Sequence, residues 1–156
     1  MRAISLVKND MPSIRIRFVN ILELSALGFG HSDCSFSKEH FNLYFTENKP
    51  VIFNFHGYPS VLQELLFNMG DTNRFFIHGY IENGSTTTPF DMHIRNRTSR
   101  WHLVKEVFSL MAEQKVISQQ DSAALNKKYD NKFLEHRVYI KKYGIDPDEI
   151  EQWQWK

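Results

Sequence analysis

The sequence lacks the features that mark secreted, membrane-spanning and nucleic-acid-binding proteins. Cys34 is its single cysteine, so no internal disulfide can form and a reducing cytosol fits best. A formal net charge of +1 offers no electrostatic case for nucleic acid, which calls for a basic stripe. The first twelve residues lack the apolar core of a signal peptide, and no run approaches the roughly 18 apolar residues of a membrane span. We therefore expect a cytoplasmic protein without nucleic-acid or membrane partners.

Aromatic residues are abundant in an otherwise ordinary composition. Hydrophobic residues make up 42% of the 156 positions and charged residues 24%, which is typical of a soluble globular protein. The aromatic share is 14%, and 13 of these residues are phenylalanine. This share indicates either a core of large flat side chains or a surface meant for a partner. The length predicts one domain, over residues 1–156, with a sizeable core.

Strand-like and helix-like patterns alternate along the chain. Strands are predicted at 13–21, 51–55 and 75–81. Helices are predicted at 2–8, 38–45, 59–68, 91–97, 99–114 and 122–143, with a short helical turn near 22–28. This order favours an α/β fold of three layers, a mostly parallel sheet with helices on both faces. Three strands are few for such a sheet, which usually has a further member.

Two His-Gly-Tyr triplets, at 56–58 and 78–80, follow the second and third predicted strands. Open α/β sheets place their sites at the carboxyl ends of strands, so His56 and His78 are candidate ligand-binding residues, with Tyr80 beside them. The competing interpretation is that both histidines are hydrogen-bonded packing residues at the ends of the sheet. We regard that interpretation as the more frequent outcome for such residues.

A run of threonines, Thr86, Thr87 and Thr88, precedes Pro89 and a predicted helix. Free amides and hydroxyls at a helix start favour an anion, which makes these residues candidates for a phosphate or nucleotide pocket. The alternative is a short capping turn, with Asp91 three residues beyond Thr88 as in a capping box. The run lacks the glycines and the lysine of a phosphate-binding loop.

Other catalytic patterns find little support. His31 and Cys34 have a plausible spacing for a metal, but they lie in a loop without a second pair of ligands. No G-x-S-x-G motif indicates a serine nucleophile. The triplet Gly70-Asp71-Thr72 departs from the Gly-Asp-Gly pattern of thiamine diphosphate sites and precedes a strand. The residues therefore predict no catalytic, cofactor or metal site in this chain.

Several strings nevertheless resemble one family closely. KPVIFNFHGYP, HGYIENGSTTTPFDM, NRTSRWHLV, LEHRVYIKKYG and EIEQWQW are similar to the C-terminal domain of phosphoketolases. The resemblance runs from about Ala3 to Trp155. Phosphoketolases are in turn similar to transketolases, with three α/β domains per subunit and a dimer that binds thiamine diphosphate and magnesium between the first two domains.

The resemblance implies an activity for the parent enzyme and a supporting role for this chain. The family splits xylulose 5-phosphate, and often fructose 6-phosphate, with inorganic phosphate to give acetyl phosphate and a shorter aldose phosphate. Its cofactor motif and catalytic residues lie in the two preceding domains, so those domains and a second subunit are the expected partners. The family's third domain also begins earlier, with a strand that precedes the segment matching Ala3. We therefore expect an N-terminally truncated domain that lacks its first strand, or alternatively a regulatory module that binds phosphate or nucleotide.

Overall fold

The computed structural model describes residues 1–29, 35–83 and 86–154, and this part of the chain forms two compact units. We call residues 16–81 the sheet unit, and residues 1–15 with 82–156 the helical unit. The sheet unit contains a 3₁₀ turn at Leu24–Leu27, α2 (Lys38–Phe45), β1 (Val51–Asn54), α3 (Pro59–Leu66), a 3₁₀ turn at Thr72–Arg74 and β2 (Phe75–His78). The helical unit contains α1 (Arg2–Asp10), α4 (Pro89–Arg95), α5 (Arg100–Glu113), α6 (Gln119–Tyr143) and α7 (Asp148–Glu151). The prediction of a single domain stays a prediction.

The sheet unit is built on two parallel strands joined through α3. β1 pairs with β2 in the register Val51↔Phe75 to Asn54↔His78, and α3 packs against β2. Pro59 opens α3 at its first turn, where a missing backbone N–H costs nothing. A small parallel sheet flanked by helices confirms the predicted α/β class.

Phenylalanine dominates the core of the sheet unit, as the composition indicated. Phe41 and Phe45 of α2 stack on each other, and the Phe53 ring of β1 meets Phe45 and Phe75. Aromatic pairs in edge and offset geometries add to the free energy gained by burying their large surfaces. The other fully buried members of this core are Leu27, Leu62 and Leu66.

The prediction of a strand at 13–21 is wrong. The chain forms no ladder there, and Arg17 instead donates from its guanidinium to the carbonyls of Leu43 and Tyr44 in α2. Val19 and Ile21 pack against the core, which explains the apolar periodicity, but Phe18 remains 56% exposed. Alternation of apolar and polar residues indicates that one face of the segment is buried. A strand also requires a neighbouring strand that accepts its backbone hydrogen bonds.

One edge of β1 carries no ladder with any described residue. Phe55 donates from its backbone N–H to the carbonyl of His78, so the odd-numbered residues of this strand face β2. Because the direction of the backbone N–H and C=O groups alternates along a strand, those of Ile52 and Asn54 point to the edge of β1 opposite β2. In the described ranges the sheet ends there, with two strands where the sequence predicts three.

The helical unit packs α1 and α6 against α5. Ser99 and Ser118 cap α5 and α6 by accepting hydrogen bonds from His102 N–H and Asp121 N–H. Gly144 ends α6 in the left-handed conformation, at φ 74°, as its position in the sequence predicts. The Ser122 hydroxyl donates to the carbonyl of Phe108, which joins the inner faces of α5 and α6.

Candidate functional site

The two His-Gly-Tyr triplets lie side by side at the carboxyl ends of β1 and β2. Beyond the ladder itself, Tyr80 donates from its backbone N–H to the carbonyl of Gly57 at 2.7 Å. A Cβ on Gly79 would lie 2.4 Å from that same carbonyl oxygen, closer than any real Cβ contact. Position 79 of the second triplet therefore requires glycine, because any side chain there would clash with the Gly57 carbonyl oxygen.

The side chains of the triplets form a partly exposed aromatic surface. The rings of Tyr58 and Tyr80 meet edge to face with their centroids 5.7 Å apart, and both rings are exposed. His56 is exposed on the neighbouring loop, while His78 is half-buried. The structure thus brings His56, His78 and Tyr80 to one end of the sheet unit, as predicted.

The threonine run caps α4. Thr88 accepts a hydrogen bond from Asp91 N–H through its hydroxyl oxygen, and this hydroxyl donates to Asp146 at 2.7 Å. Thr87 donates to the Asp91 carboxylate at 2.7 Å, whereas Thr86 is exposed. The capping interpretation of the run is confirmed for Thr88. A carboxylate next to each engaged hydroxyl also opposes a bound anion, because like charges repel.

Asp91 lies at the centre of this turn and is almost fully buried. Burial acts to raise the pKa of its carboxyl, but the hydrogen bonds from Arg95 and Thr87 outweigh burial and hold the pKa below its ordinary value. Arg95 reaches the carboxylate from one turn further along α4, with Nε 2.6 Å from Oδ2. The carboxylate therefore serves as a fixed anion that orders the start of the helix.

The predicted ligand pocket divides between the two units. His56, His78 and Tyr80 belong to the sheet unit, whereas Thr86, Thr87 and Thr88 belong to the helical unit. A pocket formed by all six residues stays a prediction.

A buried polar cluster in the helical unit was missed by the sequence reasoning. Asp146 accepts hydrogen bonds from Thr88 Oγ1 and from the N–H of Phe90, and it pairs with His136 Nε2 at 2.8 Å. The His136 ring packs against Phe90, and both partners of the pair are 2% exposed. The contacts join positions up to 58 residues apart, so no local spacing pointed to them. The cluster braces the segment after α6 against the start of α4.

Comparison with known proteins identifies the family. The XFP C-terminal domain family matches residues 1–155. Probable phosphoketolase 1 of Lactiplantibacillus plantarum and xylulose-5-phosphate phosphoketolase of Lactiplantibacillus pentosus are each 37% identical over 157 residues. Probable phosphoketolase of Brucella abortus is 35% identical over 156 residues. The chain belongs to the XFP C-terminal domain family.

The matches cover the whole of this chain but only a small part of each relative. Both Lactiplantibacillus proteins match 100% of the chain and the Brucella protein 99%, yet in each case the match covers 19% of the relative. The resemblance to the phosphoketolase C-terminal domain is thereby confirmed. The chain spans about a fifth of the length of the curated relatives it matches, so other domains of the same protein are implied.

The triplet Gly70-Asp71-Thr72 of this XFP C-terminal domain leads into the 3₁₀ turn that precedes β2. Asp71, in the triplet that faintly resembles the cofactor motif, accepts a hydrogen bond from Asn73 N–H at 3.0 Å and so caps a 3₁₀ turn. Outside the ranges 30–34, 84–85 and 155–156, no three histidine, cysteine, aspartate or glutamate side chains converge as metal ligands. His31 and Cys34 fall within those ranges.

No described helix of the domain is both long enough and apolar enough to cross a membrane. α6 is long enough at 25 residues, but charged side chains recur along it.

Proposed function

We propose that the chain is the C-terminal structural and assembly domain of a phosphoketolase and is catalytically silent alone. The observation that carries the proposal is the whole-chain match to phosphoketolases of which the chain spans only 19%. In this proposal the preceding domains hold thiamine diphosphate and magnesium and supply the catalytic residues. The parent enzyme cleaves xylulose 5-phosphate or fructose 6-phosphate with phosphate to give acetyl phosphate and an aldose phosphate.

The open edge of β1 supports an assembly role. A sheet of two parallel strands buries little surface, and parallel sheets normally have both faces and their edges covered. The backbone groups of Ile52 and Asn54 are directed at that edge, where a further strand from the remainder of the polypeptide would pair with them. Exposed apolar side chains on the same unit, including Leu22 at 87% and Phe67 at 74%, offer additional surface for docking.

The proposal extends to the cellular setting and the assembly. We place the parent enzyme in the cytoplasm, in keeping with the single cysteine of this chain. We also place it in a homodimer, whose contacts the C-terminal domains help to form. In this proposal the parent enzyme is a carbon–carbon lyase of carbohydrate metabolism.

Complementation between two polypeptides tests the proposal. One partner is the Lactiplantibacillus pentosus xylulose-5-phosphate phosphoketolase from which the segment matching this chain has been removed. The other is this chain, and the assay supplies thiamine diphosphate, magnesium, phosphate and xylulose 5-phosphate. We expect acetyl phosphate only when both polypeptides are present. Acetyl phosphate from this chain alone would show a self-sufficient enzyme, and failure of the chain to bind or rescue its partner would reject the assembly role.

A further inference from the structure

The outer face of α6 carries apolar and basic side chains in one line. Leu134, Val138 and Lys141 recur at intervals of four and three, which places them along one side of the helix. Leu134 is 58% exposed and Val138 68%. We call these three residues, with Lys127 two turns before Leu134, the α6 stripe.

The stripe lies opposite the face by which α6 is anchored in its unit. Ser122, Tyr129 and His136 are buried at intervals of seven, on the side that packs toward α5. Around the helix axis, positions 127, 134 and 141 are rotated by about 140° from these buried positions. The stripe therefore contributes nothing to the core of the helical unit, and its apolar side chains need another explanation.

Cations and carboxylates both lie beside the stripe, and only the carboxylates are all engaged in ion pairs. Asp130 is paired with Lys105, and Glu135 is paired with Lys132 at 3.0 Å. Among the described residues no carboxylate pairs with Lys127, Arg137 or Lys141. Complementary potentials favour association and suppress wrong partners, so the chemistry of the stripe selects an apolar surface with an acidic rim.

A second copy of the chain is a poor match to this surface. An isologous contact sets the same patch of both subunits together, so it would bring the cations of one stripe to those of the other. The neighbouring carboxylates are already engaged with Lys105 and Lys132. A narrow line of two aliphatic side chains also falls short of the wide apolar face by which helices insert into a membrane surface.

We propose that the α6 stripe docks onto an acidic-rimmed apolar surface of the preceding phosphoketolase domains. The inference rests on the proposed function, since those domains form the four-fifths of the relatives that the chain does not span. The stripe provides a contact distinct from the open edge of β1, because it belongs to the helical unit.

Binding of the chain to the truncated Lactiplantibacillus pentosus enzyme tests the stripe. The test variant is Val138→Glu with Lys141→Glu, and the matched control is Val116→Glu with Lys115→Glu, an exposed valine–lysine pair between α5 and α6. All four positions are exposed, so circular dichroism is expected to show intact folding. We expect at least tenfold weaker binding for the test variant, less than twofold change for the control, and a dissociation constant that rises with salt for the unaltered chain.

The outcomes separate this inference from the proposed function. If the unaltered chain does not bind the truncated enzyme, both fail. If it binds and restores activity, while the test variant binds and restores activity equally well, only the stripe is rejected. Sedimentation showing a dimer of the chain that the test variant abolishes would assign the stripe to a second copy. Binding to vesicles of anionic phospholipid that the test variant abolishes would assign it to a membrane surface, and either result overturns the proposal.

Discussion

At the scale of single residues, Arg74 contributes to the sheet unit in a way that its sequence position does not indicate. Its guanidinium donates to the carbonyls of Phe45, Thr46 and Lys49, at 2.8 to 3.0 Å, and lies over the ring of Phe75. These carbonyls lie at the end of α2 and just beyond it, where helical acceptors have no partner within the helix. Burial lowers the pKa of Arg74, yet the side chain remains a cation because that pKa starts far above neutral.

We expect the substitution Arg74→Met to lower the free energy of unfolding by about 3 kcal/mol, because it leaves one buried and two partly buried hydrogen-bonded carbonyls without their donor. Urea denaturation followed by circular dichroism measures the loss. Arg15→Met, at an exposed arginine, is the control and is expected to change stability by less than about 0.5 kcal/mol. Equal stability of the two variants would contradict the capping role of Arg74.

The Asp91 carboxyl gives the start of α4 a predictable pH dependence. Its folded-state pKa lies below the ordinary value, so its stabilising effect is present above the unfolded pKa of about 3.9 and is lost as the pH falls through the folded pKa. We expect Asp91→Asn to be less stable than the unaltered chain at pH 6, with the difference shrinking as the pH falls through the folded-state pKa of Asp91. Urea-denaturation midpoints of both proteins, measured from pH 6 down through the folded-state pKa, test this expectation. A stability difference that does not change with pH would exclude the ionised carboxylate as the cause.

At the scale of elements, α1 is attached to α6 through a single acidic residue, Asp10. Tyr129 donates from its hydroxyl to Asp10 at 2.5 Å, and Lys128 pairs with the same carboxylate. Val7 of α1 is 1% exposed. Burial, followed by the hydrogen bond to Asp10, raises the pKa of the Tyr129 hydroxyl above its ordinary value, which keeps the donor protonated.

We expect Tyr129→Phe to destabilise the helical unit by about 1–2 kcal/mol, because the Asp10 carboxylate loses a donor in a partly buried contact. Thermal unfolding followed by circular dichroism tests this expectation. Tyr143→Phe serves as the control, since Tyr143 lies near the end of α6 and is 54% exposed. A loss in the control as large as in Tyr129→Phe would show that the hydroxyl bond to Asp10 is not the cause.

At the scale of the whole molecule, the remaining question is whether the chain binds a phosphorylated ligand. Any ligand that binds the folded state alone raises the melting temperature by mass action. We expect no rise with millimolar inorganic phosphate or ATP, compared with sodium chloride at equal ionic strength, because Thr87 and Thr88 are already bonded to carboxylates. A rise that Thr86→Ala or His56→Ala abolishes would instead support the phosphate or nucleotide pocket.

The sequence predicted the elements whose signals are local. Ser37, Ser99 and Thr88 cap the helices that follow them, and Gly144 ends α6, because capping depends on hydrogen bonds within a few residues. Short motif strings likewise sufficed to predict the family, which the match over residues 1–155 confirms. The α/β class followed from the order of the patterns, since parallel strands require helical crossovers.

Tertiary structure decided the features that depend on distant partners. Whether residues 13–21 became a strand depended on a neighbouring strand, and the described chain provides α2 as the partner of Arg17 instead. The Asp146–His136 cluster and the carbonyls held by Arg74 join positions from 10 to 58 residues apart, which no periodic pattern encodes. The sequence by itself therefore determined most of the helices and the family, because those depend on neighbours along the chain. It placed the start of α6 at 122, whereas the structure starts this helix at Gln119, after the Ser118 cap. The tertiary structure decided which strands pair and which polar groups are buried, because hydrogen bonds across the fold must satisfy each buried donor and acceptor.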